Sequence, residues 1–455
     1  MRRKNNSSFG VLGVFLLILA GILYVYFSAT FERNLPNIEM QTNGYWNLKK
    51  PLDIKISDDT GLKSYKVSVK LDNEDKELDL KMLEIPEKSV SLSIKAPRSI
   101  LITKQKSIKV VVEATDASKW NFLKGNRVVK VYKLIIDKKR PKLNIVANSY
   151  KISRGGSALV IFKVDDENLD KLYILGNNGK KFIPQPFYKD GYYISLLAWP
   201  VQDGGFKAHV VATDFAGNKA KEYVPLYLKM KKYRISKIKI SDKFLKGKIA
   251  DLAEEFDETQ GVENSLEQFK IINEDVRAKN EKLIHEITSK VDTEEMVSSF
   301  KMNKMYPLKN AQVVAHFGDH RKYYYKGSYI SESYHLGLDL ASNSMASIKT
   351  KNSGKVVFAE FNGLYGNMPA ISYGLGLYTI YGHCSTIKVN EGDEVSINET
   401  IANTGKSGYA MGDHLHFGVL VQGIEVRPQE WMDKKWIKLN ITDIIKSAKK
   451  IIDRD

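Results

Sequence analysis

The sequence predicts a mainly β, multidomain chain, and three patterns predict it. A long apolar stretch follows a basic N-terminus. Short runs rich in Val, Ile and Tyr, broken by Gly, Asp, Asn and Pro, fill residues 35–229 and partly repeat. Apolar residues at helical spacing then occupy about 241–300, before strand-like runs return towards the C-terminus. The length of 455 residues suits about three domains of ordinary size. With 43% hydrophobic and 27% charged residues, the composition excludes a disordered or collagen-like chain. The 70 Lys and Arg against 53 Asp and Glu leave a formal charge of +17, which admits nucleic acid, an anionic membrane or an anionic polymer as partner. The single cysteine, Cys384, excludes an intrachain disulfide framework and a cysteine-based zinc site.

Arg2, Arg3 and Lys4 precede an uncharged run from Asn5 to Phe31. Its apolar core, Phe9 to Ser28, has the ~20 residues that a helix needs to cross ~30 Å of hydrocarbon. Positive charge on the N-terminal side keeps that end in the cytoplasm and exports the remainder. Tyr24, Tyr26 and Phe27 at the outer end read as an interfacial belt and favour an uncleaved anchor. A secretory signal cut near Ser28-Ala29 is the alternative. Export removes nucleic acid from the expected partners, and residues 1–33 are assigned to the cytoplasmic tip and transmembrane anchor.

The β region contains an internal repeat. Ile56-Ser-Asp58-Asp59-Thr-Gly61-Leu62 reappears as Lys163-Val-Asp165-Asp166-Glu-Asn168-Leu169, and Val111-Val-Glu-Ala-Thr-Asp116 as Val210-Val-Ala-Thr-Asp214. The copies lie about 100 residues apart, the size of one immunoglobulin-like sandwich. Two immunoglobulin-like modules are expected, 34–140 and 141–235, joined near Arg140-Pro141. Their lysines form either an electrostatic hold on an anionic wall or lipid surface or simply a solvated face. Neither module carries a carboxylate pair or histidine cluster that suggests catalysis.

Residues 236–302 read as a helical linker or regulatory segment. Leu266, Phe269, Ile272 and Val276, then Leu283, Ile284, Ile287 and Val291, recur at spacings of three, four and seven. Asp251, Glu254, Glu255, Asp257 and Glu258 form an acidic cluster that either faces solvent or covers a metal site, and His285 is expected on the surface.

The chemistry lies further on, where six of the eight histidines fall. His335-Leu-Gly-Leu-Asp339, Tyr381-Gly-His383 and His414-Leu-His416-Phe417 are the informative strings. A catalytic zinc takes three protein ligands and keeps one open position. Residues two apart on a strand share a face, so His414 and His416 can address one cavity. His335 and Asp339 fall on one side of their segment, and His383 adds a fourth imidazole.

Together these strings resemble the lysostaphin/LytM family of zinc-dependent peptidoglycan endopeptidases. The family's His-x-Gly-x-Asp stands here as His335-Leu-Gly337-Leu-Asp339, its Tyr-x-His as Tyr381-Gly-His383, and its final motif as Ser407-Gly408-Tyr-Ala-Met-Gly412-Asp-His414-Leu-His416-Phe417. Phe317-Gly318 and Pro428 match the flanking positions, and the resemblance covers roughly a quarter of the chain. It implies a mostly antiparallel β domain over 303–432 with an open groove, one Zn2+ held by His335, Asp339 and His416, and His383 and His414 as catalytic histidines beside the metal. Lys355–Glu360, Ala370–Tyr373, Tyr378–Tyr381 and His416–Val421 read as its strands.

Two places depart from the family pattern. The basic, aromatic stretch Asp319–Tyr325 either lines the groove or packs as a surface turn. Tyr373 stands where the family often carries His and suggests a different groove wall. Residues 433–455 read as a C-terminal amphipathic helix with Ile441, Ile444, Ile445, Ala448, Ile451 and Ile452 on its apolar side.

The expected protein is therefore a single-pass inner-membrane, periplasmic zinc endopeptidase. It would cut cross-links or stem peptides of peptidoglycan in wall remodelling, including cell shape, with other cell-wall enzymes as potential partners. The alternative is a non-catalytic wall-binding scaffold, or an activator of a partner hydrolase.

Overall fold

The computed structural model describes residues 7–71, 74–97 and 104–454. The basic triplet Arg2, Arg3 and Lys4 lies outside the described residues. The chain divides into two compact units: Met1–Pro141 with Asn168–Asp170 and Thr213–Lys219, and Lys142–Glu167 with Lys171–Ala212 and Ala220–Asp455.

In the first unit, the apolar run forms the 21-residue helix Ser7–Phe27. Its segment Gly10–Phe27 has a mean hydropathy of 2.5, and no part of it is buried in protein. At 1.5 Å per residue the helix spans about 30 Å, long enough to cross a bilayer. A six-stranded sheet follows, ordered Asn37–Met40, Leu52–Leu71, Ser107–Asp116, Arg127–Ile136 and Tyr45–Trp46, with Glu74–Ile94 also paired to Leu52–Leu71. The register of Leu52–Leu71 against Glu74–Ile94 breaks between Ser57 and Leu62. Before the break the strand pairs with Asn37–Met40; from Leu62 onward it pairs with Ser107–Asp116.

The Asp58-Asp59-Thr-Gly61 string of the first repeat copy is that break. Asp58 Oδ1 accepts from the Thr60 and Gly61 amides at 2.9 and 3.0 Å. Gly61 adopts φ +97°, and a Cβ there would lie 2.9 Å from Pro86 Cβ. An aspartate that satisfies a turn's amides next to a glycine free to take positive φ is what a bent strand needs. Ile54, Ile56, Val67, Val110 and Val112 close this unit's core.

The second unit begins with strands arranged as two four-stranded sheets. Leu159, Val160, Ile161 and Phe162 in the strand Ser157–Asp165 are all fully buried. A continuous apolar run rather than an alternating one marks a strand covered on both faces. The C-terminal helix Asp443–Ile452 packs on this strand and on Lys142–Asn148. It buries Ile445, Ala448 and Ile452, whereas Ile451 is largely exposed, so its apolar stripe is narrower than the sequence suggested.

The strands of the motif region form an eight-stranded antiparallel sheet. The four strands expected from sequence are observed as Gly354–Phe361, Asn367–Ser372, Leu377–Gly382 and Leu415–Val421. The loop 154–157 is gripped by the segment after the last motif. Arg427 N donates to the Gly155 carbonyl (2.7 Å), Ser157 N to Glu430 Oε2 (3.0 Å), and Trp431 Nε1 to Ser157 Oγ (3.1 Å). A Cβ on Gly156 would stand 2.6 Å from both Glu430 carboxylate oxygens, so any side chain there would have to displace that carboxylate.

The helical segment runs through Ser265–Ile271, Ile272–Val276 and Arg277–Thr288 without a gap. Ile249, Leu252, Phe269, Ile272 and Val276 share one core with Tyr323 and Leu364, while Ile284 joins Ile380 and Leu420. The segment is thus continuous with the core of the motif-bearing sheet. Asp251, Glu254, Glu255 and Asp257 face solvent, and Glu258 pairs with Lys279.

Candidate metal centre and catalytic groove

Sheet register assembles the site. Asp339 and His416 are direct cross-strand partners, and Gly382, immediately before His383, also faces His416 across the ladder. His335 closes the strand Ser328–His335, and the turn through Leu336 and Gly337 returns the chain to Leu338–Ala341. The result brings together His335 Nε2, Asp339 Oδ1 and His416 Nδ1. Each imidazole nitrogen lies 2.9 Å from the carboxylate oxygen, and the two nitrogens are 3.2 Å apart.

The tautomers follow from the outer contacts. His335 Nδ1–H donates to the His316 carbonyl at 2.9 Å, which leaves the Nε2 lone pair facing Asp339. Burial pushes His416 below the ordinary histidine range. Burial alone would raise the Asp339 carboxyl, but His335 and His416, when they carry a proton towards it, outweigh burial and hold the carboxyl well below the usual carboxylate range. Two neutral nitrogens and a carboxylate this close repel one another unless a cation lies among them. Their spacing suits a small cation bound at about 2.0–2.2 Å to each, and two imidazoles with one carboxylate are a zinc donor set. His335, Asp339 and His416 would therefore hold Zn2+.

His383 and His414 stand beside this set, their ring centroids 4.8 Å apart. His383 Nδ1–H donates to the Ser407 carbonyl (2.9 Å) and His414 Nδ1–H to the Gly412 carbonyl (2.8 Å). Both rings therefore carry a free lone pair on Nε2. His414 Nε2 lies 3.7 Å from Asp339 Oδ2, and burial pushes His383 down to about 3. His383 adopts φ +64°, a left-handed conformation rare outside glycine, with its amide donating to the Tyr365 carbonyl at 2.7 Å. Such a residue costs about 1–3 kcal/mol and persists where its surroundings over-determine it.

The Ser407-Gly408 pair supplies part of that setting. Ser407 Oγ donates to the Cys384 carbonyl (2.8 Å) and accepts from Asn367 N (3.0 Å). Gly408 has no room for a side chain, since a Cβ would meet Gly366 N at 2.5 Å. Cys384 is buried, its thiol donates to the Tyr381 carbonyl, and burial raises it to about 12, so it is no nucleophile.

All five expected residues line one groove of about 430 Å³. From the basic stretch only Arg321 reaches it, while Tyr323 is buried against Phe269. None of the acidic cluster lines it. Tyr373 is not on the groove wall: its hydroxyl is tied into the sheet by Thr379 (2.9 Å) and Tyr381 (3.1 Å), which corrects the role expected from the family pattern.

Sequence reasoning missed Tyr365, Tyr409 and Arg277, which also line the groove. Tyr365 packs edge-on to His416 at 5.4 Å, and the positive-φ glycines 363 and 366 on either side of it were a signal of a tight, functional turn. Arg277 enters from the helical segment, its Nε and a terminal nitrogen donating to Asn273 at 3.2 and 3.1 Å. No local sequence feature places it there.

Residues 333–428 match the model of peptidase family M23. Over 102 residues the chain is 33% identical to the stage II sporulation protein Q of Bacillus subtilis strain 168, a stretch making up 22% of this chain and 36% of that protein. It is 34% identical over 89 residues to the peptidoglycan DD-endopeptidase ShyA of Vibrio cholerae, 20% of this chain and 21% of that one. The catalytic domain of the antimicrobial peptidase lysostaphin from Staphylococcus simulans aligns at 26% identity with a TM-score of 0.23, covering 27% of this chain and 92% of that domain. The chain thus spans 36% and 21% of the length of these two curated relatives.

Proposed function

We propose that this chain, whose residues 333–428 belong to peptidase family M23, is a zinc-dependent endopeptidase that hydrolyses peptide bonds of bacterial peptidoglycan during wall remodelling. The observation that carries this reading is the complete set of His335, Asp339 and His416 at mutual distances of 2.9–3.2 Å, with two further imidazoles in the same groove. A wall-binding scaffold or hydrolase activator has no need to retain that set.

Bound zinc supplies a Lewis acid and lowers the pKa of water towards ~7. His383 Nε2 or His414 Nε2, each a free lone pair, takes a proton from the attacking water, and the Nε2–H so formed donates to the scissile carbonyl oxygen as it gains charge or returns the proton to the leaving amine. The Ser407 and Gly412 carbonyls fix which nitrogen does this work in each ring. Arg277 and Arg321 give the groove a cationic wall suited to the carboxylates of stem peptides.

In this reading the helix Ser7–Phe27 is an uncleaved anchor, and the β regions 34–140 and 141–235 are immunoglobulin-like modules holding the catalytic domain, 303–432, outside the cytoplasm. Wall cross-links relaxed in this way could alter cell shape.

The test uses the full chain: zinc by elemental analysis and product release from purified peptidoglycan. The expected result is one zinc per chain, and released wall peptides whose mass identifies the bond cut. His416→Ala should lose both. His383→Ala and His414→Ala should keep the zinc and lose about 10²–10⁴-fold in rate. Zinc-loaded, folded protein that releases nothing from walls of several chemotypes would sink the hydrolase reading.

A further inference from the structure

The first unit carries an apolar feature that its own core does not use. Between the strands Ser107–Asp116 and Arg127–Ile136, the short turn Trp120–Leu123 projects from the sheet. Asn121, Phe122 and Leu123 have φ of 54°, 55° and 67°, three successive left-handed residues of which none is glycine. No packing among the described residues repays this: Phe122 is 94% exposed and Leu123 66%. A turn facing water would carry Gly, Asn or Asp in such a conformation, not Phe and Leu.

The base of the turn is tied to the chain leaving the apolar helix. Lys119 N donates to the Thr30 carbonyl (2.8 Å), and Ser118 Oγ to the Glu32 carbonyl (2.7 Å). The Arg33 guanidinium lies over both the Tyr26 ring (4.7 Å) and the Trp120 ring (4.3 Å). Trp120 shares a shallow groove with Ile18, Gly21, Ile22 and Val25 of the helix. Ile22 and Ile18 lie five and nine residues inside the helix end at Phe27, about 8 and 14 Å along its axis at 1.5 Å per residue. The turn therefore stands alongside the helix rather than beyond its outer end.

We propose that residues 119–124 are a second membrane contact, a hook that dips Phe122 and Leu123 into the outer leaflet beside the anchor. The proposal rests on the anchor reading of Ser7–Phe27, and its occupant is the bilayer itself. No residue of the helix from Gly10 to Phe27 is buried, so the medium that solvates the helix also surrounds the turn. Hydrocarbon rewards Phe and Leu where water penalises them, Trp favours the interface, and the exposed Lys119 and Lys124 reach headgroup phosphates. Two points of attachment would limit the tilt of this unit on the membrane, which a single helix does not.

Site-directed labelling of the full chain in phosphatidylcholine–phosphatidylglycerol vesicles tests this. The one native cysteine, Cys384, is buried, so an environment-sensitive fluorophore can be directed to Phe122→Cys, and in a second protein to Val14→Cys within the helix. Lipids carrying nitroxide quenchers at shallow and deep positions report depth. The expected result is blue-shifted emission at both sites, with the label at 122 quenched most by the shallow probe. If position 14 is quenched while position 122 emits as in water, the hook is overturned and the anchor stands. If neither is quenched, the anchor reading has failed and the hook falls with it. Because Phe122 is almost wholly exposed, its replacement leaves the core untouched.

Discussion

Gly337 lies directly against the His416 imidazole: a Cβ at that position would stand 2.4 Å from Nε2 and 2.5 Å from Cε1. The glycine between His335 and Asp339 thus seats a ligand contributed by another strand. Gly337→Ala should displace the His416 ring while leaving the sheet intact, and weaken zinc binding about 10–100-fold. Competition with a chelator of known affinity measures this. Unchanged affinity would show that the ring has room to move.

Arg277 reaches the groove from the helical segment, and Asn273 braces it there. Arg277→Gln should raise KM about tenfold for peptides with a free side-chain carboxylate, roughly 1.4 kcal/mol, with kcat little changed. Peptides with that carboxylate amidated should be indifferent to the substitution. Equal losses on both peptides would assign Arg277 to structure alone.

Glu430 is enclosed by the grip on residues 154–157, and burial raises its carboxyl to about 7. In the unfolded chain it titrates near 4.5, so between these values the folded state holds more protons. Stability from this group is therefore present in full below about 4.5 and falls as pH rises to about 7, by as much as ~3 kcal/mol at 1.36 kcal/mol per unit. Denaturant unfolding at pH 5 and pH 8 should show that loss, and Glu430→Gln should flatten it. A variant with the same pH slope as the parent would refute the assignment.

A chain beginning at residue 303 contains every candidate metal-binding position yet lacks Phe269, Ile272, Val276 and Ile284, which are buried against the motif-bearing region. It should be insoluble or lack a cooperative thermal transition. Cooperative folding of 303–455 with bound zinc would show that the helical segment is dispensable.

These expectations mark where the sequence could be read. The ligands were legible because zinc demands particular side chains and the ladder spaces them: His414 and His416 reach one groove from two positions on one segment. The helical segment was legible by its period, since Phe269, Ile272 and Val276 bury one face. Arg277 was not, because it approaches the site through tertiary packing rather than through a neighbouring motif. Tyr373 was misplaced for a related reason: its partners Thr379 and Tyr381 lie across a tight hairpin, and only the folded strands reveal that they satisfy its hydroxyl. The grip of Arg427, Glu430 and Trp431 on residues 154–157 joins segments over 270 residues apart, with no periodic signal at either end.

In the proposed hydrolase, the left-handed backbone at His383 carries two separable demands, one for an imidazole and one for a positive φ. A lineage released from catalysis would shed the first and keep the second. Drift at this position should then run to Gly, Asn or Asp, which tolerate the conformation, and avoid Val, Ile and Thr. The identity of residue 383 can thus act as a fossil of lost chemistry in proteins that preserve this hairpin.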